Sequence, residues 1–113
     1  MGDGAEHWAR VESLERSGSL DELHEALADE RGCWHTYTAA IRSLQRLHAV
    51  ESGPAILKLL ARNGDPDVQE AAVDALGALR TTRATRLLTK LAADGGPLAA
   101  RARAALHKIR GGL

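Results

Sequence analysis

Apolar and polar positions along this chain recur at helical spacing. In residues 36–47, positions 36, 40, 44 and 47 follow the i, i+4, i+8, i+11 spacing that forms one stripe of an α-helix. A second type of apolar segment, such as Leu23 to Ala28, precedes each stripe of this kind. The pattern predicts seven helices, near residues 4–17, 20–30, 34–49, 54–63, 67–80, 83–93 and 97–110.

The helical stripe is repeated along the chain. Residues 68–79 repeat residues 36–47 at an offset of 32, and residues 98–109 follow 30 residues later. The positions in register are Ala39/Ala71, Ala40/Ala72, Leu44/Leu76 and Leu47/Leu79, followed by Ala102, Ala105, Leu106 and Ile109. Stacked helix pairs bury a continuous core, so the repeat predicts an all-α solenoid of about three antiparallel helix pairs. We expect one domain over residues 1–113, with a capping helix at 1–18 and repeats at 19–50, 53–80 and 83–110.

Turn-forming residues stand between the helices of a pair. Gly64 and Gly95 can end a helix in the left-handed conformation. Pro66 and Pro97 suit the first turn of the next helix, where a missing N–H is tolerated, and Asp65 is a natural N-cap.

The segment before the first repeat has its own narrow apolar stripe of Trp8, Val11 and Leu14. Because solenoids need polar end caps, this pattern favours a capping helix over the end of the array. The alternative is that Trp8 helps to anchor a partner.

Residues 65–79 read DPDVQEAAVDALGAL, and this string resembles the second helix of HEAT repeats. It is most similar to the bacterial HEAT-like subgroup named after phycobilisome lyases, with Gln69 where that pattern favours Arg. The resemblance is strong over 53–80, fair over 83–110, weaker over 20–49, and does not include residues 1–17. It implies a helical solenoid with a concave partner-binding surface. The subgroup also implies chromophore handling, although the chain has no distinctive bilin-binding signature.

Composition supports a helical chain, since Ala and Leu dominate and the only aromatic residues are Trp8, Trp34 and Tyr37. Arg outnumbers Lys by 12 to 3, as is typical of GC-rich bacterial genomes. The net charge of zero conceals a gradient: residues 1–30 hold nine acids and two bases, whereas residues 80–113 hold eight bases and one acid. In a solenoid this becomes an electric dipole along the long axis.

From the resemblance, the second helix of each pair should line a concave face that binds a protein. The side chains expected on that face are Tyr37, Ile41, Gln45, His48, Gln69, Val73, Arg80, Arg103, His107 and Arg110, with Gly77 forming a dip. The sequence leaves open whether Ile41 meets a partner or packs on Val73 and Tyr37.

The charge gradient suggests several kinds of partner. A basic C-terminal repeat fits an acidic protein, and the acidic N-terminus also permits head-to-tail self-association. Nucleic acid is a further alternative, because Lys and Arg bind phosphates, although no aromatic residues are interleaved with these bases.

The most unusual local cluster is Cys33-Trp34-His35, which with Tyr37 forms a candidate small-ligand site for a lyase-like or biosynthetic accessory protein. A thiol near an imidazole can act as a nucleophile, but no orienting third group or oxyanion site accompanies it. A structural cysteine is therefore favoured, and no motif establishes an enzyme. The histidine spacing predicts no metal site, and no cofactor is expected. The single cysteine, together with the lack of a signal-peptide or membrane-span pattern, favours the cytoplasm.

Overall fold

A computed structural model describes residues 2–16 and 19–111, with side chains from residue 9 onward. Its helices are α1 (Gly2–Arg16), α2 (Leu20–Ala28), α3 (Trp34–Arg46), α4 (Gly53–Arg62), α5 (Pro66–Ala78), α6 (Thr85–Asp94) and α7 (Ala99–Ile109). Short 3₁₀ turns at Val50–Ser52 and Thr82–Ala84 join the pairs. No strand occurs in the described ranges, so the prediction of an all-α solenoid is confirmed.

The helices form two layers. Each first helix packs on its own second helix, giving the pairs α2/α3, α4/α5 and α6/α7. The second helices stack side by side as α3, α5 and α7, and α1 extends this layer by packing on α3. The array measures 46 × 26 × 19 Å. In the order of packing α1, α3, α5, α7, the acidic segment stands first and the basic segment last.

The small residues of the repeat allow the second helices to approach closely. Ala72 on α5 and Ala40 on α3 are fully buried. At Gly77 the backbones of α5 and α7 come close together, because a Cβ atom built there would lie 2.7 Å from Cα of Ala105 on α7. Gly77 is therefore a packing residue between two repeats, and the prediction that it forms an exposed dip is wrong.

The turn between α4 and α5 agrees partly with the sequence prediction. Asp65 caps α5 as expected, because its side chain accepts hydrogen bonds from the backbone N–H groups of Asp67 (2.9 Å) and Val68 (3.3 Å). Pro66 is the first residue of α5, also as expected. Gly64, however, does not adopt the left-handed conformation. The extended backbone of Asn63 (φ −111°, ψ 127°) already ends α4, so no left-handed residue is needed.

Positive φ angles mark the other helix ends. Gly95 has φ 69° after α6, as predicted, but Pro97 precedes α7 because that helix begins only at Ala99. His48 (φ 53°) and Arg80 (φ 52°) lie 32 residues apart and follow α3 and α5 at the same point. The repeat in sequence therefore extends to backbone conformation, and both residues lie beyond the helices on which they were predicted.

The N-terminal helix α1 is tied to the first repeat by its side chains and by its C-terminus. Val11 and Leu14 are buried as predicted, whereas the side chain of Trp8 lies outside the described residues. The last carbonyls of a helix lack intrahelical partners. Here Ser43 donates to the Leu14 carbonyl (2.8 Å) and Arg46 donates to the Glu15 carbonyl (2.6 Å), so α3 supplies the missing donors.

Candidate interaction groove

A groove of about 670 Å³ runs along the outer surface of the stacked second helices. We call it the central groove. It is lined by Trp34, Thr38, Arg42, Gln45, Arg46, His48, Asp67, Glu70, Ala71, Asp74, Ala78 and Arg101. These residues come from α3, α5, α7 and the turn after α3, so the groove requires all three repeats.

Helical periodicity explains how each wall is built. On α3, Trp34, Thr38 and Arg42 follow one another at intervals of four and therefore lie on one side of the helix, with Trp34 and Arg42 exposed and Thr38 buried between them. On α5, Asp67 and Glu70 are spaced by three, and Asp74 follows four residues later. One wall therefore carries an aromatic ring and guanidinium groups, and the neighbouring wall carries carboxylates.

Arg101 connects α7 to the acidic wall. Its Nη1 atom lies 2.6 Å from Oδ2 of Asp74, and its Nε atom lies 3.7 Å from Oε1 of Glu70. All three side chains are roughly two-fifths exposed, so solvent screening limits each pair to about 0–1 kcal/mol of stability. The main effect of Arg101 is to neutralise and orient two of the acids on α5.

The remaining charges of the groove are held differently. Arg46 is fixed by hydrogen bonds to the Glu15 carbonyl and to the hydroxyl of Ser43 (3.0 Å). Within the described residues, Arg42 and the carboxylate of Asp67 make no ion pair. Among the described residues, the α3 wall thus presents two guanidinium groups, and the α5 wall one carboxylate, that have no ion-pair partner.

Trp34 stands at the start of the basic wall. Its side chain is 42% exposed, and its ring centroid lies 3.5 Å from that of His35 with the rings inclined by 32°. An indole that is partly exposed beside charged groups is a typical anchor for a binding partner.

The predicted partner-binding residues are only partly brought together. Gln45 and His48 line the central groove. Gln69 lies in the first turn of α5, and its side-chain amide donates back to the Asn63 carbonyl at the end of α4 (3.1 Å). Arg80 is exposed beyond the end of α5. Three other predicted residues are exposed on α7 or directly after it, outside the groove lining: Arg103, His107 and Arg110.

Three of the predicted residues are not on the surface. Tyr37 is 4% exposed, and Ile41 and Val73 are fully buried, so the prediction that they face solvent is wrong. The reason is that α3 packs against α1, α2 and α5, and α5 likewise packs against α3, α4 and α7. A helix with neighbours on three sides buries more than one stripe and leaves only a narrow polar strip exposed.

The structure also separates the candidate small-ligand cluster. The Tyr37 hydroxyl donates to the backbone carbonyl of Asp29, and its ring packs over Gly32, so Tyr37 closes the α2–α3 turn. Cys33 is half-buried, and its Sγ atom lies 4.0 Å from Nδ1 of His35. Tyr37 therefore cannot line an open site with Trp34, which faces the central groove instead.

Several groove residues were missed from sequence alone. The missed charged residues are Arg42, Arg46, Asp67, Glu70, Asp74 and Arg101. The sequence did contain a signal for this groove. Arg42 and Asp74 occupy equivalent positions of two successive repeats, at the offset of 32, and carry opposite charges.

In the part of the chain that the structure describes, no group of three or more His, Cys, Asp or Glu side chains is placed to hold a metal ion. None of the helices found in residues 2–16 and 19–111 combines the length and apolar character needed to cross a membrane.

Comparison with known families identifies the fold. Residues 20–107 match the family described as HEAT repeats, so the chain belongs to the HEAT-repeat family. The match begins at α2 and ends within α7, leaving α1 outside it. Comparisons with curated proteins and with solved structures found no match. HEAT repeats commonly serve as protein-interaction scaffolds.

Proposed function

We propose that this chain is a non-enzymatic adaptor that binds a segment of a protein partner in the central groove. The observation that carries the proposal is the groove itself, which three repeats build together and which displays an exposed indole and unmatched charges. Concave surfaces of helical repeats bind extended or helical segments in this way. Gln45 and His48, predicted as partner-binding residues, remain part of the proposed surface.

The proposal is tested by filling the groove. Ala71 is partly exposed on α5 and lines the groove, so Ala71→Trp should block a docked segment without disturbing the buried core. Ala93→Trp is the matched control, because Ala93 is exposed on α6 and does not line the groove. A partner identified by native co-purification and mass spectrometry should bind the control variant normally and lose affinity for Ala71→Trp. Equal binding to both folded variants would contradict the proposal.

We propose the cytoplasm as the location and the bacterial HEAT-like subgroup as the closer affiliation. The supporting features are one half-buried cysteine, Cys33, and the start of α5, where Asp65 and Pro66 match the subgroup pattern. Cell fractionation with an antibody against the chain checks the location.

We further propose that residues 1–113 form one domain with the repeat boundaries stated above. The hydrogen bonds from α3 to the end of α1 support this organisation. A single unfolding transition, coincident by tryptophan fluorescence and circular dichroism, is expected. Separate transitions would contradict it.

A further inference from the structure

In the central groove, the basic side chains of α3 lie on one wall and the acidic side chains of α5 lie on the other. The α3 wall carries Arg42 and Arg46, and the α5 wall carries Asp67, Glu70 and Asp74. If the opposite charges simply neutralised one another, ion pairs would cross from α3 to α5. Within the described residues, the pairs instead join α5 to Arg101 of α7. The sign of the side-chain charges therefore changes from positive to negative at the boundary between α3 and α5, and we call this change the charge step.

The charge step sets a requirement for any docked segment. A partner that covers the groove removes water from Arg42 and Asp67, and an ionised group without a partner is costly to desolvate. The cost is offset only if the segment brings a carboxylate to Arg42 and a Lys or Arg to Asp67. A carboxylate can also reach Arg46, whose guanidinium already has a fixed orientation from Ser43 and the Glu15 carbonyl.

The short side chains that line the middle of the groove leave room for the backbone of a docked segment. Ala71 and Ala78 contribute only methyl groups, and Thr38 is almost fully buried. Short side chains of this kind let another backbone come close. Trp34 offers an apolar surface at one end, where an aliphatic or aromatic side chain of the partner can pack.

We infer that the central groove binds a protein segment with two charged edges. On one edge, the bound segment carries Asp or Glu side chains that contact Arg42 and Arg46 of the groove. On its other edge, the segment carries a Lys or Arg that contacts Asp67. An apolar side chain packs on Trp34. This inference rests on the proposed function, because it specifies the chemistry of the segment that the same groove takes.

The test uses a displayed library of random 16-residue peptides, selected on the wild-type chain in 50 mM salt. Peptides that also bind Ala71→Trp are removed, and the affinities of the enriched peptides are measured by fluorescence anisotropy. We expect enriched peptides to carry both acidic and basic residues. Arg42→Glu should weaken their binding about tenfold, because it replaces attraction by repulsion. Arg86→Glu makes the same change in net charge at an exposed position of α6 outside the groove lining, and should leave the affinity unchanged.

A charge exchange makes the test directional. The double variant Arg42→Glu with Asp67→Lys should prefer a peptide whose acidic and basic residues have been interchanged. Enriched peptides with charges of one sign only, equal effects of Arg42→Glu and Arg86→Glu, or no enrichment would each overturn the inference. Peptides that require an open groove but ignore Arg42→Glu would overturn the charge pattern and leave the adaptor proposal standing. If the identified protein partner binds Ala71→Trp as well as the control variant, the adaptor proposal itself fails.

Discussion

The hydroxyl of Ser43, in the last turn of α3, donates a 2.8 Å hydrogen bond to the carbonyl oxygen of Leu14, in the last turn of α1. Both residues are about 1% exposed, so no water replaces this bond. The contact joins the family-matched repeats to a helix that lies outside the family match. It shows that α1 is built into the array through its backbone as well as through Val11 and Leu14.

Ser43→Ala should therefore destabilise the chain by about 1–2 kcal/mol, because it leaves a buried carbonyl without its donor. Ser13→Ala is the control, since Ser13 is exposed on α1 and, within the described residues, its hydroxyl makes one long contact of 3.5 Å, with Glu22. Both substitutions gain the same helix propensity, so their difference reports the two hydrogen bonds of the Ser43 hydroxyl, to the Leu14 carbonyl and from Arg46. Urea unfolding measures the free energy of unfolding of each variant. Equal values for the two variants would show that the contact of Ser43 with α1 does not stabilise the chain.

Gly77→Ala should loosen the packing of the second repeat on the third. The added Cβ would lie within 2.8 Å of Cα and Cβ of Ala105, and the backbones of two packed helices cannot yield locally. Overpacking outweighs the gain in helix propensity, so we expect a net loss of about 1–2 kcal/mol and a fall in Tm of several degrees. Gly64→Ala has nothing within 4 Å of its Cβ and should change Tm little. A Gly77→Ala chain as stable as wild type would contradict the close approach.

Thr81→Val and Thr36→Val should have opposite effects on stability. Thr81 is buried, and its hydroxyl has no hydrogen-bond partner among the described residues, so an isosteric apolar side chain should stabilise the chain by about 1 kcal/mol. Thr36 is equally buried, but its hydroxyl donates to the Cys33 carbonyl at 2.9 Å. Its replacement should cost about 1–2 kcal/mol. Thermal unfolding compares the Tm of each variant with that of the wild type. Changes of the same sign would contradict the difference in hydrogen bonding between the Thr81 and Thr36 hydroxyls.

The basic last repeat predicts weak, salt-sensitive contact with nucleic acid and no specific complex. All three aromatic residues occur within the first 37 positions, so none lies among these bases to stack on nucleotides. In a gel shift with single-stranded DNA, any complex formed in 50 mM salt should be lost in 200 mM salt. Arg83→Glu with Arg86→Glu should abolish it, whereas Arg42→Glu should reduce it less. A saturable complex that persists in 200 mM salt would instead favour nucleic acid as the partner.

The sequence by itself determined the class of fold and the positions of its turns. The spacing of Ala and Leu positions follows the period of the helix. Asp65 and Pro66 at the start of α5, and Gly95 after α6, act through local backbone preferences that do not depend on distant residues. The charge gradient was likewise readable, because a solenoid keeps the order of the chain in space.

Tertiary structure alone decided which side of each second helix is available to a partner. Tyr37, Ile41 and Val73 have periodicity compatible with either face, and their burial follows from the packing of α3 against α1, α2 and α5 and of α5 against α3, α4 and α7. The pairing of Arg101 with Asp74, 27 residues apart, is decided in the same way. Helical spacing groups residues on one face of one helix, but the number of helices packed around it determines how wide the buried face becomes.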